Sequence, residues 1–530
     1  MKNIIKTAFA IGAAAALFSG CAEDNVFPQD GSVVPEQIIQ VPTALQSYTS
    51  AMDAFMIKYD VLAGASVRHW DFGYGGLMIQ RDLMGQDLII VQNYRQLGPW
   101  YEVNGMGPDY VYAQMPWRWY YKQIYQANTI IEMIPDPEAV SDEVRRYLGR
   151  AYAYRAFCYL DLGRLFIQGR YIGNEDGVTV PIVTPETEDP LNNPRAKARD
   201  LYALILDDLG KAETYLAGYN RPSTSVPDQS VVRGLLARTH LDMGNWGEAE
   251  SYAKAARAGY TALTQAQWGD RSNGFNTPTN NNSWMWCFSA TANDDMVKSG
   301  IINWTSHMCA ENTFGYNGIM GQNYAQIDRH LYDLIPETDF RKTSYVAPGA
   351  TPAQINSNFP QVGQLPTYTS IKFRPSLGDY ANYDIGAASS TPIMRMEEMM
   401  LIEAEAAGRQ DLNRGKQLLE AFVQTRNPAF VSQANWDTEF IEEIWLQRRI
   451  ELWGEGFATF DLKRLDRPVI RFYEGTNHLS GSRYNHLDGA PSWLNFCIVR
   501  TEINNNDGIS QEQNNPTPPT PDEATTPYVW

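Results

Sequence analysis

Basic residues are scarce in this chain of 530 residues. Lys and Arg number 43 against 61 Asp and Glu, so the formal net charge is −18 at pH 7. Nucleic-acid binding needs a positively charged surface that displaces the counterions of the phosphates, and this composition does not supply one. We therefore expect no nucleic-acid partner.

Cysteine is also rare, with five residues in the whole chain. Besides Cys21 they are Cys158, Cys287, Cys309 and Cys497. Such wide spacing indicates that disulfides are not the main support of the fold. Cys287, His307 and Cys309 lie close in sequence, but their spacing fits no familiar zinc site and a fourth ligand is not evident. We expect neither a metal ion nor another cofactor.

Motifs of common enzyme classes are missing. The six histidines follow no metal or nucleophile pattern, and the chain contains no HExxH, GxSxG or P-loop motif. A glycoside hydrolase needs two carboxylates facing each other across about 5 to 9.5 Å. The neighbouring acids of this chain lie in helical segments, where adjacent side chains point to different sides, and we interpret them as solvated or paired with Arg448 and Arg449. They are Glu397 with Glu398, Glu403 with Glu405, and Glu442 with Glu443. We predict a protein that is not an enzyme, with a hydrolase built from distant acids as the alternative.

Long apolar runs are absent after residue 20, where none reaches the about 18 residues of a membrane-spanning helix. Before it, Lys2 and Lys6 precede an apolar stretch at residues 7–18, which is typical of an export signal. We therefore interpret residues 1–20 as a signal peptide. The body is expected to be anchored to a membrane and not embedded in it.

The signal ends in a pattern that resembles a bacterial lipobox, with Ser19 and Gly20 directly before Cys21. That resemblance implies a lipid-modified Cys21, because several acyl chains together anchor a protein durably. An ordinary secretory signal with an incidental cysteine is the alternative. The polar residues 21–40 are interpreted as a tether, and AEDN at residues 22–25 resembles the acidic export tag of Bacteroidetes surface lipoproteins.

Helical periodicity dominates the body of the chain. In residues 109–137 apolar positions recur every three or four residues until Pro135 ends the pattern. The next helix is predicted in residues 141–166, with Ser141 and Asp142 as candidate caps, and another in residues 195–216. Later helices are predicted in PIMRMEEMMLIEAEAAGR, around RGKQLLEAFVQTR, and in DTEFIEEIWLQRRIELWGEG.

The segment SVVRGLLARTHLDMGNWGEAESYAKAARAG predicts two short helices that meet at Gly244. Seven of its residues have the spacing of a tetratricopeptide repeat, with small residues where the paired helices touch and Trp246 filling the gap between them. They are Leu236, Ala237, Gly244, Trp246, Ala249, Ala253 and Ala256. One such repeat is not stable alone, so the neighbouring helical pairs are expected to stack on it. The predicted fold is mainly α, a tetratricopeptide-like scaffold of helical pairs with long irregular loops and a few short strands.

Two long segments lack periodicity. Residues 66–110 and 265–390 are rich in Gly, Asn, Pro and aromatic residues. Loops of this length are usually functional or disordered, and their Trp and Tyr content argues against disorder. We divide the body into an N-terminal helical part at 41–265, a C-terminal part with the binding insert at 266–505, and a low-complexity tail at 506–530.

These features together resemble the SusD/RagB family of Bacteroidetes surface lipoproteins. The resemblance is carried by the lipobox, YKQIYQANTII, RAYAYRAFCYLDLGRLF with TVPIV, the helix RAKARDLYALILDDLGKAETYL, the repeat around Gly244, PIMRMEEMMLIEAEA and LQRRIELWGEGFATFDLKR. It implies a lipid-anchored protein at the outer-membrane surface, with a TonB-dependent (SusC-like) transporter as partner. It also implies a helical scaffold whose irregular segments form a shallow site for a glycan or another nutrient.

Sugar recognition needs flat aromatic faces beside polar side chains. The glycine-rich segments RHWDFGYGGLMIQRDLMGQDL and GPWYEVNGMGPDY offer both, and the corresponding stretch of the family contributes to the ligand surface. The candidate glycan-binding residues are Arg81, Trp100, Tyr101 and Asn104 from these segments, with Trp304 and Tyr316 from the later one. The alternative for Trp100 is that it fills the edge of the core. Alternation in SWMWCFS predicts a short strand with Trp284, Trp286 and Phe288 in the core.

The resemblance therefore implies a cell-surface protein that captures oligo- or polysaccharides on aromatic side chains and passes them to a transporter. A peptide-binding member of the same family is one alternative, and a glycoside hydrolase is an alternative of another class. A scaffold that only docks partner proteins is a third.

Overall fold

Helices make up most of the regular structure, as the sequence predicts. The computed structural model describes residues 42–62, 67–91, 96–272, 275–279, 281–351 and 365–530. The predicted signal peptide at 1–20, the lipidation of Cys21 and the tether at 21–40 lie outside these residues. The mainly helical fold class is confirmed.

The described helices are α1 Pro42–Phe55, α2 Tyr74–Leu83, α3 Gly98–Tyr101, α4 Val111–Met133, α5 Asp142–Phe166, α6 Ala198–Tyr215, α7 Gln229–Met243, α8 Trp246–Ala256, α9 Gln265–Gly269, α10 Asp295–Lys298, α11 Trp304–Met308, α12 Arg329–Leu334, α13 Tyr383–Gly386, α14 Met396–Gly408, α15 Leu412–Val423, α16 Asp437–Glu451, α17 Ala458–Leu465 and α18 Arg500–Asn505. The described strands are β1 Leu88–Ile90, β2 Val178–Pro181, β3 Arg195–Lys197, β4 Trp284–Ser289, β5 Ala325–Ile327, β6 Ser390–Arg395, β7 Val469–Ile470 and β8 Asn485–His486. They pair antiparallel as β1 with β5, β2 with β3, β4 with β6, and β7 with β8.

The central helices form a continuous stack. Helix α4 packs on α5, α5 on α6, α6 on α7, and α7 on α8. Helices α4 and α6 bury the face that the apolar spacing predicts, whereas α5 is buried almost all round. The predicted cap of α5 is present, because Ser141 Oγ accepts a hydrogen bond from the Val144 N–H at 3.4 Å. Beyond α8 the stack continues with α14, which packs on α8, α15 and α16. Residues 257–395 therefore leave the stack before the chain returns to it.

The turn between α7 and α8 requires a glycine. Gly244 has φ 76°, in the left-handed region that side chains with a Cβ disfavour. A Cβ there would also lie 3.1 Å from Cδ1 of Ile172. The tetratricopeptide-like pair is thus closed by the residue that the sequence pattern places at its turn.

We expect Gly244→Ala to lower the free energy of unfolding by about 1 to 2 kcal/mol, because alanine is strained in the left-handed region. Gly210→Ala is the matched control with the opposite sign. Gly210 is exposed within α6, and a Cβ there would meet no described atom within 4 Å. That substitution should raise the free energy of unfolding by about 0.5 to 1 kcal/mol, since it adds helix propensity without a clash. Urea unfolding followed by circular dichroism measures both, and equal signs would contradict this explanation.

Strand β6 corrects the start of one predicted helix. The helix predicted from residue 392 begins at Met396, and the preceding residues form β6, which pairs with β4. This pairing overrides the local helical pattern, because both strands are buried in the core. Strand β4 itself confirms the strand predicted in SWMWCFS, and Trp284, Trp286 and Phe288 are all buried.

Helix α2 lies within a segment for which no helix was predicted. All ten of its residues, Tyr74 to Leu83, are buried. A helix that is buried all round shows no amphipathic period, and the sequence pattern therefore does not reveal it. It begins after Gly73 and positions the loop before it, which carries the candidate site.

One large apolar core includes residues of both predicted parts, from Leu45 to Ile509. The segment at 506–530, predicted from composition as a low-complexity tail, lies against this body. Asn515 is buried, and its Nδ2 donates to the carbonyl oxygens of Phe166 and Phe496, both at 2.7 Å. Ile509 is buried as well.

Cys158, Cys287, Cys309 and Cys497 are buried free thiols. Within the described ranges, no three potential ligands of a metal ion are grouped together. No helix in the described part of the chain has both the length and the apolar content that crossing a membrane requires.

Candidate functional site

A stack of three rings, with a fourth ring tilted against its outer end, leads from the core to the surface. The Phe72 and His307 rings are stacked with centroids 5.4 Å apart and an interplanar angle of 11°. His307 in turn stacks on Tyr316 at 5.0 Å, and the Tyr316 ring lies 5.8 Å from that of His69. Phe72 and His307 are buried, whereas Tyr316 and His69 are partly exposed. The outer end of the stack therefore presents aromatic surface to solvent.

The loop that carries Tyr316 is fixed by its own backbone. The Tyr316 N–H donates to Ser306 Oγ at 3.0 Å, and the Tyr316 carbonyl accepts from the Asn323 N–H at 2.9 Å. Gly315 has φ 77°, and a Cβ there would lie 2.7 Å from the Cα of Ser306. The ring is thus held in place before any ligand arrives, which lowers the entropic cost of binding.

The two histidines of the stack, His307 and His69, carry no charge at neutral pH. Burial lowers the pKa of His307 to about 4, although its Nε2 donates to the His69 carbonyl oxygen at 3.0 Å. Burial also lowers the pKa of His69, whose Nδ1 shares a hydrogen bond with the Tyr316 hydroxyl. A neutral stack of this kind suits an uncharged ligand with an apolar face.

A second group of exposed side chains lies near the first. Asn104 is exposed, and Tyr110 is 54% exposed. Partly exposed Tyr112 contacts the buried Trp70, with ring centroids 5.6 Å apart. Trp70 directly follows His69 in sequence, so it links the two groups. We define the aromatic patch as His69, Asn104, Tyr110, Tyr112 and Tyr316.

Three of the predicted binding rings are buried. Trp100 is 0% exposed and packs edge-on against Trp70, with centroids 4.9 Å apart. Tyr101 is buried with its hydroxyl 2.7 Å from Nδ1 of His478, and Trp304 is buried edge-on against Phe373 at 5.3 Å. The prediction that Trp100, Tyr101 and Trp304 offer exposed faces to a sugar is wrong, because each face is covered by core side chains. Trp100 fills the core, as in its alternative interpretation.

Arg81 is also buried, on α2 instead of a loop. Its guanidinium donates to the Gly456 carbonyl at 2.9 Å and to the hydroxyls of Tyr74 and Tyr120, both at 3.0 Å. Asp161 lies 3.3 Å away as its ionic partner. All of these partners lie inside the protein, so the predicted contact of Arg81 with a ligand is wrong in this structure.

Of the six predicted residues, Asn104 and Tyr316 have surface accessible to a ligand. Their role in binding stays a prediction. No role was predicted for His69 or Tyr110 from the sequence, and His307 was considered only as a possible metal ligand. The signal for His69 is its place in RHWDF, where a histidine adjoins an aromatic residue in a glycine-rich segment.

Five of the six neighbouring acids pair with arginines, but none of them pairs with the predicted Arg448 or Arg449. Glu398 pairs with Arg238 at 2.7 Å, and Glu403 pairs with Arg257 at 2.6 Å. The further pairs are Glu397 with Arg395 and Arg426, Glu405 with Arg464, and Glu442 with Arg467, while Glu443 accepts hydrogen bonds from Ser432, Gln433 and Ala434. The predicted partners bind other acids, since Arg448 pairs with Asp461 and Arg449 with Asp87.

Two family models match the chain. The model described as SusD-like, starch-binding associating with outer membrane, matches residues 64–241. The model of the SusD family matches residues 311–517. The two matches cover α4 to α6, most of α7 and the segment that carries Tyr316, while α8 lies between them.

Individual proteins that are similar to this chain carry the same family name. A SusD-like protein of Formosa agariphila is 24% identical over 456 residues, which cover 76% of this chain and 81% of that protein. A SusD-like carbohydrate binding protein from Bacteroides vulgatus has a solved structure with TM-score 0.71 at 22% identity, covering 89% of this chain and 98% of its own. A laminarin-binding SusD-like protein has TM-score 0.59 at 18% identity, covering 80% of this chain and 91% of its own. The chain belongs to the SusD/RagB family.

Proposed function

We propose that this protein binds oligo- or polysaccharides at the aromatic patch. The observation that carries the proposal is the Tyr316 ring, which is partly exposed, fixed by its loop and stacked on His307. Exposed Asn104 of the patch supplies an amide that can donate to and accept from sugar hydroxyls. The names of two similar structures, carbohydrate binding and laminarin-binding, support this class of ligand.

The proposed binding is weak and reversible. Each ring that stacks on a sugar contributes about 0.5 to 1.5 kcal/mol beyond its area burial. The patch offers few such rings, so single contacts give modest affinity that grows along an extended chain. Such affinity favours capture and release over tight storage.

We further propose that the protein acts at the cell surface without catalysis. In this proposal a lipid on Cys21 holds it to the outer membrane, and a TonB-dependent transporter receives the glycan. The description of one matching family model, associating with outer membrane, supports the location. The ionic and hydrogen-bond partners of the paired glutamates support a structural role for these acids.

We expect Tyr316→Ala to weaken glycan binding about 5- to 10-fold, because it removes a fixed stacking face. Tyr316→Phe should retain most of the affinity, since it keeps the ring. Affinity electrophoresis in gels that contain starch, laminarin, xylan, mannan or pectin identifies the glycan, and calorimetry with its oligosaccharide gives the change. Asn104→Ala is expected to weaken binding as well, through lost hydrogen bonds.

Tyr125→Ala is the matched control, because Tyr125 is a tyrosine of α4 that is 72% exposed and lies outside the patch. It should bind the glycan as the unmodified protein does. Equal losses in the Tyr125 and Tyr316 variants would contradict the proposed site, as would no retardation in any of the gels. Release of reducing sugar by the purified protein would instead support the hydrolase alternative.

A further inference from the structure

A second concave surface lies apart from the aromatic patch. It is a cleft of about 610 Å³ between α9, the turn Phe340–Ser344 and residues 425–428. Its volume lies within the range of small-molecule sites, about 300 to 1,000 Å³. None of its lining residues belongs to the aromatic patch. The cleft therefore needs its own explanation.

The wall of this cleft contains an arginine without hydrogen-bonded partners. Arg374 is 6% exposed, and neither its Nε nor its Nη1 donates a hydrogen bond to any described residue. The nearest carboxylate oxygen belongs to Glu311 and lies 3.7 Å from Nη1, beyond hydrogen-bond distance. Buried guanidinium groups are normally paired, because an unmet donor in the interior is costly.

The other cations that line the cleft each have a carboxylate close by. Arg271 reaches Glu311 at 2.6 Å, and Lys342 reaches Glu337 at 2.7 Å. Arg426 reaches Glu397 at 2.9 Å. Glu311 is therefore already engaged by Arg271, and Arg374 differs from these cations because its nearest carboxylate oxygen, 3.7 Å away, lies beyond hydrogen-bond distance.

Arg374 stays positively charged at neutral pH. Burial lowers its pKa to about 10, and Glu311 opposes this shift while Arg271 adds to it. Asp270 also lies near enough to favour the charged form. Glu337 and Asp339 are the acids of the cleft lining, and Asp339 is paired with Arg341 at 2.7 Å. Among the described residues, the buried Nε and Nη1 donors of Arg374 therefore have no acceptor.

The rest of the lining combines aromatic and polar residues. Tyr332, Phe340 and Tyr345 line the cleft but are only 4 to 8% exposed, while Thr343 and Gly349 are exposed. A planar guanidinium matches the oxygens of a carboxylate or a sulfate. We propose that this cleft binds the anionic group of an acidic sugar, a uronate or a sulfated residue, with Arg374 as its main donor. The choice of a sugar as carrier rests on the proposed function, whereas the anion site rests on Arg374 alone.

The test measures binding of tri-galacturonate by calorimetry to the unmodified protein, Arg374→Gln and Arg374→Lys. We expect at least a tenfold loss in Arg374→Gln, because charge-assisted hydrogen bonds disappear. Arg374→Lys should keep the charge but lose the planar fork, and its affinity should lie between the other two. The fully methyl-esterified trimer should bind the unmodified protein at least tenfold more weakly, a comparison that needs no variant.

Arg414→Gln is the matched control, because Arg414 is exposed on α15 and does not line the cleft, and the substitution removes the same charge. It should leave trimer binding unchanged. Binding that survives Arg374→Gln, or equal affinity for the acid and its ester, would overturn the proposal. Arg374-dependent binding of inorganic sulfate without any acidic sugar, or tighter binding of an acidic peptide, would overturn the assignment to a sugar.

Tyr316→Ala separates the two proposals. Trimer binding that depends on Arg374 should persist in this variant, because Tyr316 does not line the cleft. Loss of neutral glycan binding with retained trimer binding would thus support both sites. If the protein binds the trimer but no neutral glycan, the proposed anion site is supported. The proposed glycan binding at the aromatic patch is then contradicted.

Discussion

Glu451→Ala is expected to lower the free energy of unfolding by about 3 to 5 kcal/mol, the usual effect of breaking a buried ion pair. Glu451 ends α16 and is fully buried between three arginines. Its carboxylate lies 3.1 Å from Arg341, 3.1 Å from Arg395 and 3.2 Å from Arg426. Alanine would leave these guanidiniums short of an anion inside the protein. Urea unfolding at neutral pH measures the loss.

The same network predicts a pH dependence. Burial alone would raise the pKa of Glu451, but Arg426, Arg395 and Arg341 outweigh it and hold the pKa well below the usual range of a glutamate. A carboxyl with a depressed pKa stabilises the fold above its unfolded pKa, and that contribution is lost as the pH falls. The difference in stability between the unmodified protein and Glu451→Ala should therefore shrink as the pH falls below about 4.3, the ordinary pKa of Glu.

Glu442→Ala is the control on the same helix. Glu442 pairs with Arg467 but its side chain is 53% exposed, and surface ion pairs contribute only about 0 to 1 kcal/mol. A loss at Glu451 no larger than the loss at Glu442 would refute the structural role of the buried network.

Trp100→Ala should also destabilise the protein by about 3 to 5 kcal/mol, as large-to-small substitutions of buried aromatic residues do. Trp100 packs edge-on against Trp70 and Tyr112, with centroids 4.9 and 5.0 Å away, and alanine would leave a cavity beneath the aromatic patch. Trp304→Ala should behave similarly, because Trp304 is equally buried. Chemical unfolding monitored by circular dichroism measures each change.

Trp436→Ala is the matched control, since Trp436 is 59% exposed at the start of α16. It should change stability by less than about 1 kcal/mol, as surface substitutions generally do. Unchanged stability in Trp100→Ala together with loss of glycan binding would show that Trp100 touches the ligand and would restore the first prediction.

Helices α4 and α6 of the stack could be predicted because each buries one face. The period of apolar residues in α4 and the cap at Ser141 are local properties of the sequence. The glycine at the turn after α7 is equally local, since its left-handed φ excludes most other residues. These features need no knowledge of distant partners.

The candidate site could be predicted only in outline. Composition indicates which loops are rich in aromatic residues, but the direction of each ring is decided by partners far along the chain. Arg81 is bound by the carbonyl of Gly456, and Tyr101 by His478. Tyr316 was predicted correctly as accessible, whereas Trp304 was not, although both lie in the same aperiodic segment. Only the folded chain distinguishes them.

The position of α14 in the stack bears on how the protein folds. Helices α7 and α8 form a pair, yet their neighbour comes from beyond residue 395, and Gly234 of α7 makes room for the Met394 side chain at the end of β6. Contacts of such high sequence separation form slowly, because a long loop must close first. During synthesis the apolar side of this pair stays uncovered until the last third of the chain arrives. We expect chains shortened before residue 396 to aggregate, and the docking of α14 to limit the rate of folding.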